Sequence, residues 1–279
     1  MGKVLVTDTH LTNIANAIRS KNGTTDTYKP SEMAEAIENI EAGGSGGGTY
    51  APRYISFYDY SGTELDYEVA NLDTSNLTSM ENMFIYCANL THLDIAHWNT
   101  SNVTKFSSVF SGCSALVNLD ISGWDFQQAT KLNGMFLNCK YLTTINLGNL
   151  KNELATTVAS MFQSCSKLTS VDLKNFKGTK VTSCNTMFGS CSVLTSVDLS
   201  SFNPTALTNT LNMFSGCKKL THIDIRSMDF SKVTSSYSNM FYNVPTSCEI
   251  IVKDDTQKEW ITSKFTTLTN VKTVAELEA

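Results

Sequence analysis

Cysteine is the residue type whose spacing in this sequence most directly raises the question of chemistry. Six cysteines recur at intervals of 26 residues, at Cys87, Cys113, Cys139, Cys165, Cys191 and Cys217. A catalytic thiol is needed once and beside a base, and a zinc site uses cysteine or histidine pairs at short spacing. The sequence has no histidine with this period and no C-x-x-C pair. We therefore expect no catalytic residue, no metal site and no cofactor, and we interpret the thiols as small buried hydrophobic groups.

Disulfides between neighbouring repeats are the main alternative, because repeats that stack could bring two thiols together. Disulfides persist in oxidising compartments. The N-terminal stretch "MGKVLVTDTHLTNIANAIRSKNG" lacks the apolar region and cleavage site of a signal peptide. We therefore expect synthesis in a cytoplasm and reduced cysteines. Cys184 is expected to pack in the same core, and Cys248, near the C-terminal end, to be the most accessible thiol.

Aspartate forms a second column, a term that we use for residues at the same position of successive repeats. Its members are Asp94, Asp120, Asp172, Asp198 and Asp224, with Asn146 between the second and third. Like charges stacked at strand spacing repel. These carboxylates are therefore hydrogen-bonded to neighbouring hydroxyls and backbone, screened by cations, or used to bind a ligand. A glycosidase needs one pair of carboxyl groups with different pKa values, one acting as acid and one as base, whereas this column repeats the same environment in each repeat. The candidate ligand contacts are His92, Asp94, His97, Asp120, Asp198, His222 and Asp224.

The 26-residue repeat contains two periodicities. "MENMFIYC", which ends at Cys87, places its apolar residues at i, i+3, i+4 and i+7, the spacing of one helix face. "THLDIAHW", which ends at Trp98, alternates apolar and polar residues as a half-buried strand does. A threonine column that runs from Thr78 to Thr234 is expected to cap the helices. The sequence predicts an α/β leucine-rich-repeat solenoid, with a parallel sheet on one face and short helices on the other.

The predicted domain organisation has five parts. Residues 1–42 are predicted to form a small helical hairpin that serves attachment or oligomerisation, and residues 43–49 contain "GGSGGG" and form a flexible linker. Residues 50–76 form an N-terminal cap, and residues 77–252 form the solenoid. Residues 253–279, with "DTQKEWITSKF", supply a terminal helix that covers the last repeat.

Composition narrows the classes of partner. The chain of 279 residues carries a net charge of -5 and is 41% hydrophobic. No cluster of lysine and arginine could neutralise a run of phosphates, so we expect no nucleic-acid partner. No apolar run approaches the length of about 20 residues that spans a bilayer, so we expect no membrane insertion.

The repeat closely resembles the BspA-type leucine-rich repeats of bacterial surface proteins, on the strength of "MFSGCSALVNLDISGW"-type units and the linking "TSNVTKF". That resemblance implies adhesion or recognition rather than catalysis. The head "LTNIANAIRSKNGTTDTYKPSEMAEAIENI" and the ending "IIVKDDTQKEWITSKFTTLTNVKTVAEL" are similar to segments of tail and baseplate-associated proteins of phages of Gram-positive bacteria. Such phage proteins reach the virion without a signal peptide.

The two resemblances together imply a virion fibre or tail-associated protein that recognises the host cell surface. Its expected partners are other virion proteins, bound through residues 1–42, and a host glycan or surface protein. A homo-oligomer, with a trimer as the expectation for a fibre, is also implied. Three alternatives remain open: a purely structural virion component such as a head fibre, collar or baseplate spacer, a BspA-like bacterial adhesin, and a polysaccharide-cleaving solenoid enzyme.

Overall fold

The computed structural model describes residue 57, residues 72–148 and residues 150–279. The predicted hairpin over 1–42, the linker over 43–49 and most of the cap over 50–76 lie outside the described residues. Over the described part the chain winds into a solenoid, and one complete 26-residue turn is called a coil below. The extra residue before Met240 lengthens one coil to 27 residues.

Parallel strands one coil apart form the sheet face. They are β1 (Asn118–Asp120), β2 (Thr144–Asn146), β3 (Ser196–Asp198), β4 (His222–Asp224), β5 (Glu249–Val252) and β6 (Val271–Thr273). Strands β1 and β2 pair with each other, and the other four pair in the order β3-β4-β5-β6. The predicted parallel-sheet solenoid is confirmed. The expected register of Ile223 with Ile250 is also confirmed, since these two residues are partners between β4 and β5.

Each strand is short, and β1, β3 and β4 bury their central residue. In β1 the side chain of Leu119 is buried while Asn118 and Asp120 are exposed, and in β3 Val197 is buried between Ser196 and Asp198. This alternation follows from the period of two in a strand, which sends successive side chains to opposite faces. Apolar side chains therefore fill the interior of the coil, and the aspartate column faces outward.

The helices predicted at each repeat are absent from residues 72–148 and 150–254. The segment from Met80 to Cys87 is a series of tight turns in which Met83 N–H donates to the Met80 carbonyl at 3.1 Å. Alternate N–H groups instead reach the next coil, as Phe84 N–H does to the Val109 carbonyl at 2.8 Å. Asn82 has a φ of 61°, which is left-handed and ends each turn before it can continue as an α-helix.

The same two positions are left-handed in the coils that follow. One column holds Asn82, Ser108, Gly134, Ser160, Thr186, Asn212 and Asn239, and the other holds Tyr86, Gly112, Asn138, Ser164, Ser190, Gly216 and Asn243. Glycine and asparagine tolerate a positive φ better than other residues do. Two such positions, four residues apart in each coil, bend the chain back and free its N–H groups for bonds between coils.

Phenylalanine forms a continuous stack through the core. Neighbouring rings lie nearly parallel with centroids 5.1 to 5.7 Å apart, over the series Phe57, Phe84, Phe110, Phe136, Phe162, Phe188, Phe214 and Phe241. An aromatic pair of this kind contributes about 0.5–1.5 kcal/mol beyond the burial of its area. The stack fixes each coil on the one before it, because a shift of one coil would separate two rings.

The threonine column bonds to the preceding coil, so its predicted role as a helix cap is wrong. Thr130 donates both its N–H, at 2.8 Å, and its hydroxyl, at 3.0 Å, to the carbonyl of Thr104. Thr156 and Thr182 repeat this pattern one and two coils later. Within residues 72–148 and 150–254 no helix is present for these hydroxyls to cap. They hold neighbouring coils together instead, beside the backbone bond.

Residues 253–279, predicted as a capping helix, contain two helices and a strand. Helix α1 (Asp255–Lys264) begins after Asp254, whose side chain accepts a hydrogen bond from Gln257 N–H. Strand β6 then extends the sheet by pairing with β5, and helix α2 (Val274–Glu278) follows. Thr273 and Glu276 form a reciprocal capping box at the start of α2. The last coil is therefore covered by α1 and extended by one more strand.

Candidate functional site

A shallow groove on the sheet face brings together three of the candidate contacts. His92, Asp94 and Asp120 line it, and its volume is about 380 Å³. The rest of its polar lining comes from Asn118 and from the next coil. These side chains lie together because the outward positions of the sheet stack at the spacing of parallel strands, about 4.8 Å. We call this the sheet-face groove.

The aspartate column is held by backbone hydrogen bonds. Asp120 Oδ1 accepts the N–H of Ser122 at 2.9 Å, and Asp198 Oδ1 accepts the N–H of Ser200 at 2.9 Å. Hydrogen bonds from the hydroxyl and the N–H of Ser122 lower the pKa of Asp120. Burial acts to raise the pKa of Asp198, but the bonds from Ser200 and the nearby Lys174 and Arg226 charges lower it overall. The lowered pKa values mean that Asp120 and Asp198 are ionised at neutral pH.

His97 lies beside this groove, with its Nδ1 4.0 Å from Asp94 Oδ1. Both side chains are largely exposed, so this contact is weak and leaves the imidazole able to turn toward a ligand. His92, Asp94, His97 and Asp120 thus form one cluster of candidate contacts. The other three candidates, Asp198, His222 and Asp224, lie on later coils and are not part of it.

Two of the later candidates are engaged by polar side chains of the protein itself. His222 Nδ1 lies 3.0 Å from Glu249 Oε2, and Lys272 Nζ lies 2.8 Å from the other oxygen of Glu249. Hydrogen bonds from Lys272 and His222 lower the pKa of Glu249. Asp224 is largely buried and accepts both Nε, at 2.9 Å, and Nη2, at 2.6 Å, of Arg226. The Asp224 side chain is therefore committed to holding Arg226.

The cysteine column is buried and each thiol donates to a carbonyl of the preceding coil. Cys165 Sγ lies 3.1 Å from the Phe136 carbonyl oxygen, and Cys191 Sγ lies 3.0 Å from that of Phe162. The same bond occurs from Cys87, Cys113, Cys139 and Cys217. All eight cysteines are free and buried, in keeping with the expected packing role.

Burial also suppresses the reactivity of the thiols. Desolvation raises the pKa of Cys165 and of Cys217 to about 12, so their thiolate is absent at neutral pH. The expectation that Cys248 is accessible is wrong, because only 1% of this residue is exposed and burial raises its pKa to about 12. Helix α1 covers the last coil and β6 extends its sheet, and the repeat pattern did not predict that strand.

Within residues 72–148 and 150–279, no group of three or more His, Cys, Asp or Glu side chains converges to hold a metal ion. Neither α1 nor α2, the helices of the described residues, has the length and apolar character that crossing a membrane requires.

A second and larger groove lies at the C-terminal end and was not predicted. Its volume is about 770 Å³, and its charged lining consists of Arg226, Asp229, Lys253 and Asp254. One signal for it is present in the sequence. Arg226 stands in a column whose earlier members are Ala96, Ser122, Gly148, Lys174 and Ser200. Most of them are small, so a long cationic side chain at this position is a departure from the repeat.

The fold defines a class, that of repeat proteins in which short parallel strands stack into a solenoid. A family model described as "Mycoplasma protein of unknown function, DUF285" matches residues 55–171 and again residues 142–254. These matches cover well over half of the 279 residues, and the chain belongs to this family. The match and the repeat arrangement fit a BspA-type repeat protein, as the sequence resemblance implies. No curated protein and no solved structure matches the chain.

Proposed function

We propose that this protein is a recognition or adhesion protein that binds a cell surface through its solenoid, without catalysis. The observation that carries the proposal is the sheet-face groove, where His92, Asp94 and Asp120 stand side by side on neighbouring coils. Beneath them the phenylalanine stack and the bonds between coils make a rigid support. A rigid surface that repeats polar groups from coil to coil suits a ligand with its own repeat, such as a surface polymer.

Avidity supplies the mechanism. Contacts that are weak one by one gain strength when several are made along the same rigid array, because each further contact forms at high effective concentration. Asp120 and Asp198 offer ionised acceptors on separate coils, and the N–H bonds from Ser122 and Ser200 hold them in place. Such groups lose little conformational freedom when they bind.

We further propose that the protein belongs to a phage virion, as a fibre or tail-associated component attached through residues 1–42. The resemblance of the head and the ending to tail and baseplate-associated proteins supports this. A purely structural virion component and a BspA-like bacterial adhesin are the competing roles. Mass spectrometry of purified virions, with an antibody against this chain, separates them: detection in the particle supports the virion role, and detection only on the bacterial cell supports the adhesin.

Binding of the fluorescently labelled full-length protein to Gram-positive cells, measured by flow cytometry, tests the recognition role. The double variant D94N/D120N removes two charges from the sheet-face groove, and an asparagine can still accept a backbone N–H. We expect it to bind cells at least fivefold more weakly, on the order of 1 kcal/mol for lost charged hydrogen bonds. D125N changes an aspartate outside this groove and should bind as the parent does. Absence of cell binding by the parent protein would remove the recognition role.

A further inference from the structure

The groove at the C-terminal end, which we call the C-terminal groove, has the dimensions of a small-molecule site. It lies between the turns of the last coils and the start of α1, and its volume of about 770 Å³ falls in the range typical of ligand pockets. The lining side chains that matter below are Asn203, Arg226, Asp229, Lys253, Asp254 and Val274. Most of the side chains that line the groove are polar, and several can both donate and accept hydrogen bonds.

Arg226 is the fixed donor of this groove. Its Nε and Nη2 bond the carboxylate of Asp224, whose side chain is 7% exposed. A guanidinium has five N–H donors in a planar fork. Among the residues that the structure describes, no acceptor bonds Nη1, so this edge of the fork remains available to a ligand. The clamp by Asp224 also means that Arg226 loses little freedom when a ligand binds.

Asp229 is the corresponding fixed acceptor. Its Oδ1 accepts the N–H of Ser231 at 2.8 Å, and this bond and the Ser231 hydroxyl lower the pKa of Asp229. A carboxylate can accept about four hydrogen bonds. Ser231 uses only part of that capacity, so Asp229 presents an ionised acceptor on the same groove as the Arg226 donor.

The charges of the groove cancel. Its two cationic side chains are Arg226 and Lys253, and its two anionic side chains are Asp229 and Asp254. Asp224, directly behind Arg226, adds one further negative charge. A groove with this balance has no electrostatic preference for an anion. It suits a neutral ligand that carries donors and acceptors close together, which is the chemistry of sugar hydroxyls.

We propose that the C-terminal groove binds a neutral saccharide. Adjacent sugar hydroxyls would accept from Arg226 and donate to Asp229, while the side-chain amide of Asn203 adds an adaptable polar contact. Val274, at the start of α2, offers an apolar contact for the C–H face of the ring. This inference rests on the proposed recognition role and deepens it, since it names the chemical class of one surface ligand and places its site away from the sheet-face groove.

Isothermal titration of the full-length protein with glucose, galactose and N-acetylglucosamine tests the inference. We expect at least one of these sugars to bind with a Kd on the order of 1 mM, as for a weak single site. D229N removes the carboxylate but can keep the bond from Ser231 N–H, and it should weaken that sugar at least tenfold. R226Q should weaken it as much.

The repeat supplies matched controls for both variants. Asp125 occupies the same column as Asp229 four coils earlier and accepts Gln127 N–H at the same distance, 2.8 Å. Lys174 occupies the column of Arg226 two coils earlier. D125N and K174Q should leave the affinity unchanged. If R226Q fails to fold because Asp224 loses its partner, the comparison of D229N with D125N decides the question.

Three results would overturn the inference. The first is that no titrated sugar binds with a Kd below about 50 mM, which is far weaker than the millimolar affinity expected of a single site. The others are that D229N and D125N weaken sugar binding equally, or that glucuronate binds more tightly than glucose. Cell binding by the same variants separates this inference from the proposed function. A parent protein that binds cells but no sugar leaves recognition intact and removes the saccharide site. A parent protein that binds a sugar but no cells supports the site and removes the role in cell recognition.

Discussion

Replacing one buried thiol by serine and by alanine tests whether the cysteine column is a set of hydrogen-bond donors. Cys165 has an acceptor, the Phe136 carbonyl oxygen 3.1 Å from its Sγ. Cys184 is equally buried, yet among the described residues its thiol has no hydrogen-bond partner. The two positions therefore differ in whether a hydroxyl placed there would find a hydrogen-bond acceptor, and both are inaccessible to water.

The expected magnitudes follow from this difference. Alanine at either position removes a buried sulfur and leaves a small cavity, at a cost of about 2 kcal/mol in the free energy of unfolding. Serine at Cys165 can donate to the Phe136 carbonyl, so it should be within about 0.5 kcal/mol of alanine there. Serine at Cys184 buries a hydroxyl without a partner and should be about 1–3 kcal/mol less stable than alanine.

The assay is equilibrium unfolding in urea, followed by circular dichroism under reducing conditions. Thr210 stands one coil after Cys184 in the same column, so the Cys184 variants are compared with valine at 210 to remove a hydroxyl that could pair with the new serine. The quantity compared is the free energy of unfolding of the serine variant minus that of the alanine variant, at each of the two positions. If this difference is the same at Cys165 and Cys184, the carbonyl bond has no energetic role and the reasoning is wrong.

Three further predictions concern stability. Thr210→Val should raise the free energy of unfolding by about 1 kcal/mol, because the buried Thr210 hydroxyl has no partner among the described atoms; an unchanged or lower urea midpoint would count against it. Seven buried thiols have raised pKa values, from 9.0 to about 12 for three of them. The stability that comes from burying the neutral thiols is therefore fully present below pH 9, and it falls as the pH rises from 9 toward 12, by about 1.4 kcal/mol per pH unit and thiol. Urea titrations that give the same free energy of unfolding at pH 8 and pH 10 would contradict this. Glu249→Gln should destabilise by less than about 1 kcal/mol at pH 7, since the contacts of Glu249 with Lys272 and His222 are partly exposed. The effect should shrink as the pH falls from 4.5 through the lowered pKa of Glu249, because the folded protein loses this stabilisation when the carboxylate is protonated; a variant whose loss of stability is the same at pH 7 and in strong acid would show that these contacts are not the cause.

The architecture was predictable because the repeat fixes it. When one coil places Leu119 inward and Asp120 outward, every coil of the same length must do the same, so the sheet and its register follow from counting residues. The register of β5 was also predictable, because the extra residue near Met240 can be seen in the sequence. Burial of the cysteine column follows from the same argument.

The local backbone was not predictable from apolar spacing alone. The i, i+3, i+4, i+7 pattern around Phe84 is satisfied by a helix and equally by a run of tight turns that keeps the same side chains inward. The sequence did contain the deciding signal. Asn82 and Tyr86 begin two columns, four residues apart, that are rich in asparagine, serine and glycine, and both columns take a left-handed φ. A helix would strain at each such position.

The sites were predictable only in part. His92, Asp94 and Asp120 share a groove because they are near one another in the repeat, and periodicity shows that directly. The C-terminal groove depends on the start of α1 and on Val274 of α2, which lie after the repeat ends, and periodicity does not predict how such elements fold back. The bonds from the thiols of the cysteine column to carbonyls of the preceding coil, such as that from Cys165 to Phe136, also need coordinates, since spacing shows only that the thiols are inside.

The most direct test of the central claim is to count reactive thiols in the native, reduced protein with a chromogenic thiol reagent at pH 8. Side chains one coil apart stack on each other, and the cysteines among them fill the core. The account predicts that none of the eight thiols reacts before the protein unfolds and that all eight react in denaturant. A native thiol that reacts at the rate of free cysteine, or a count that rises only after a metal chelator is added, would contradict it.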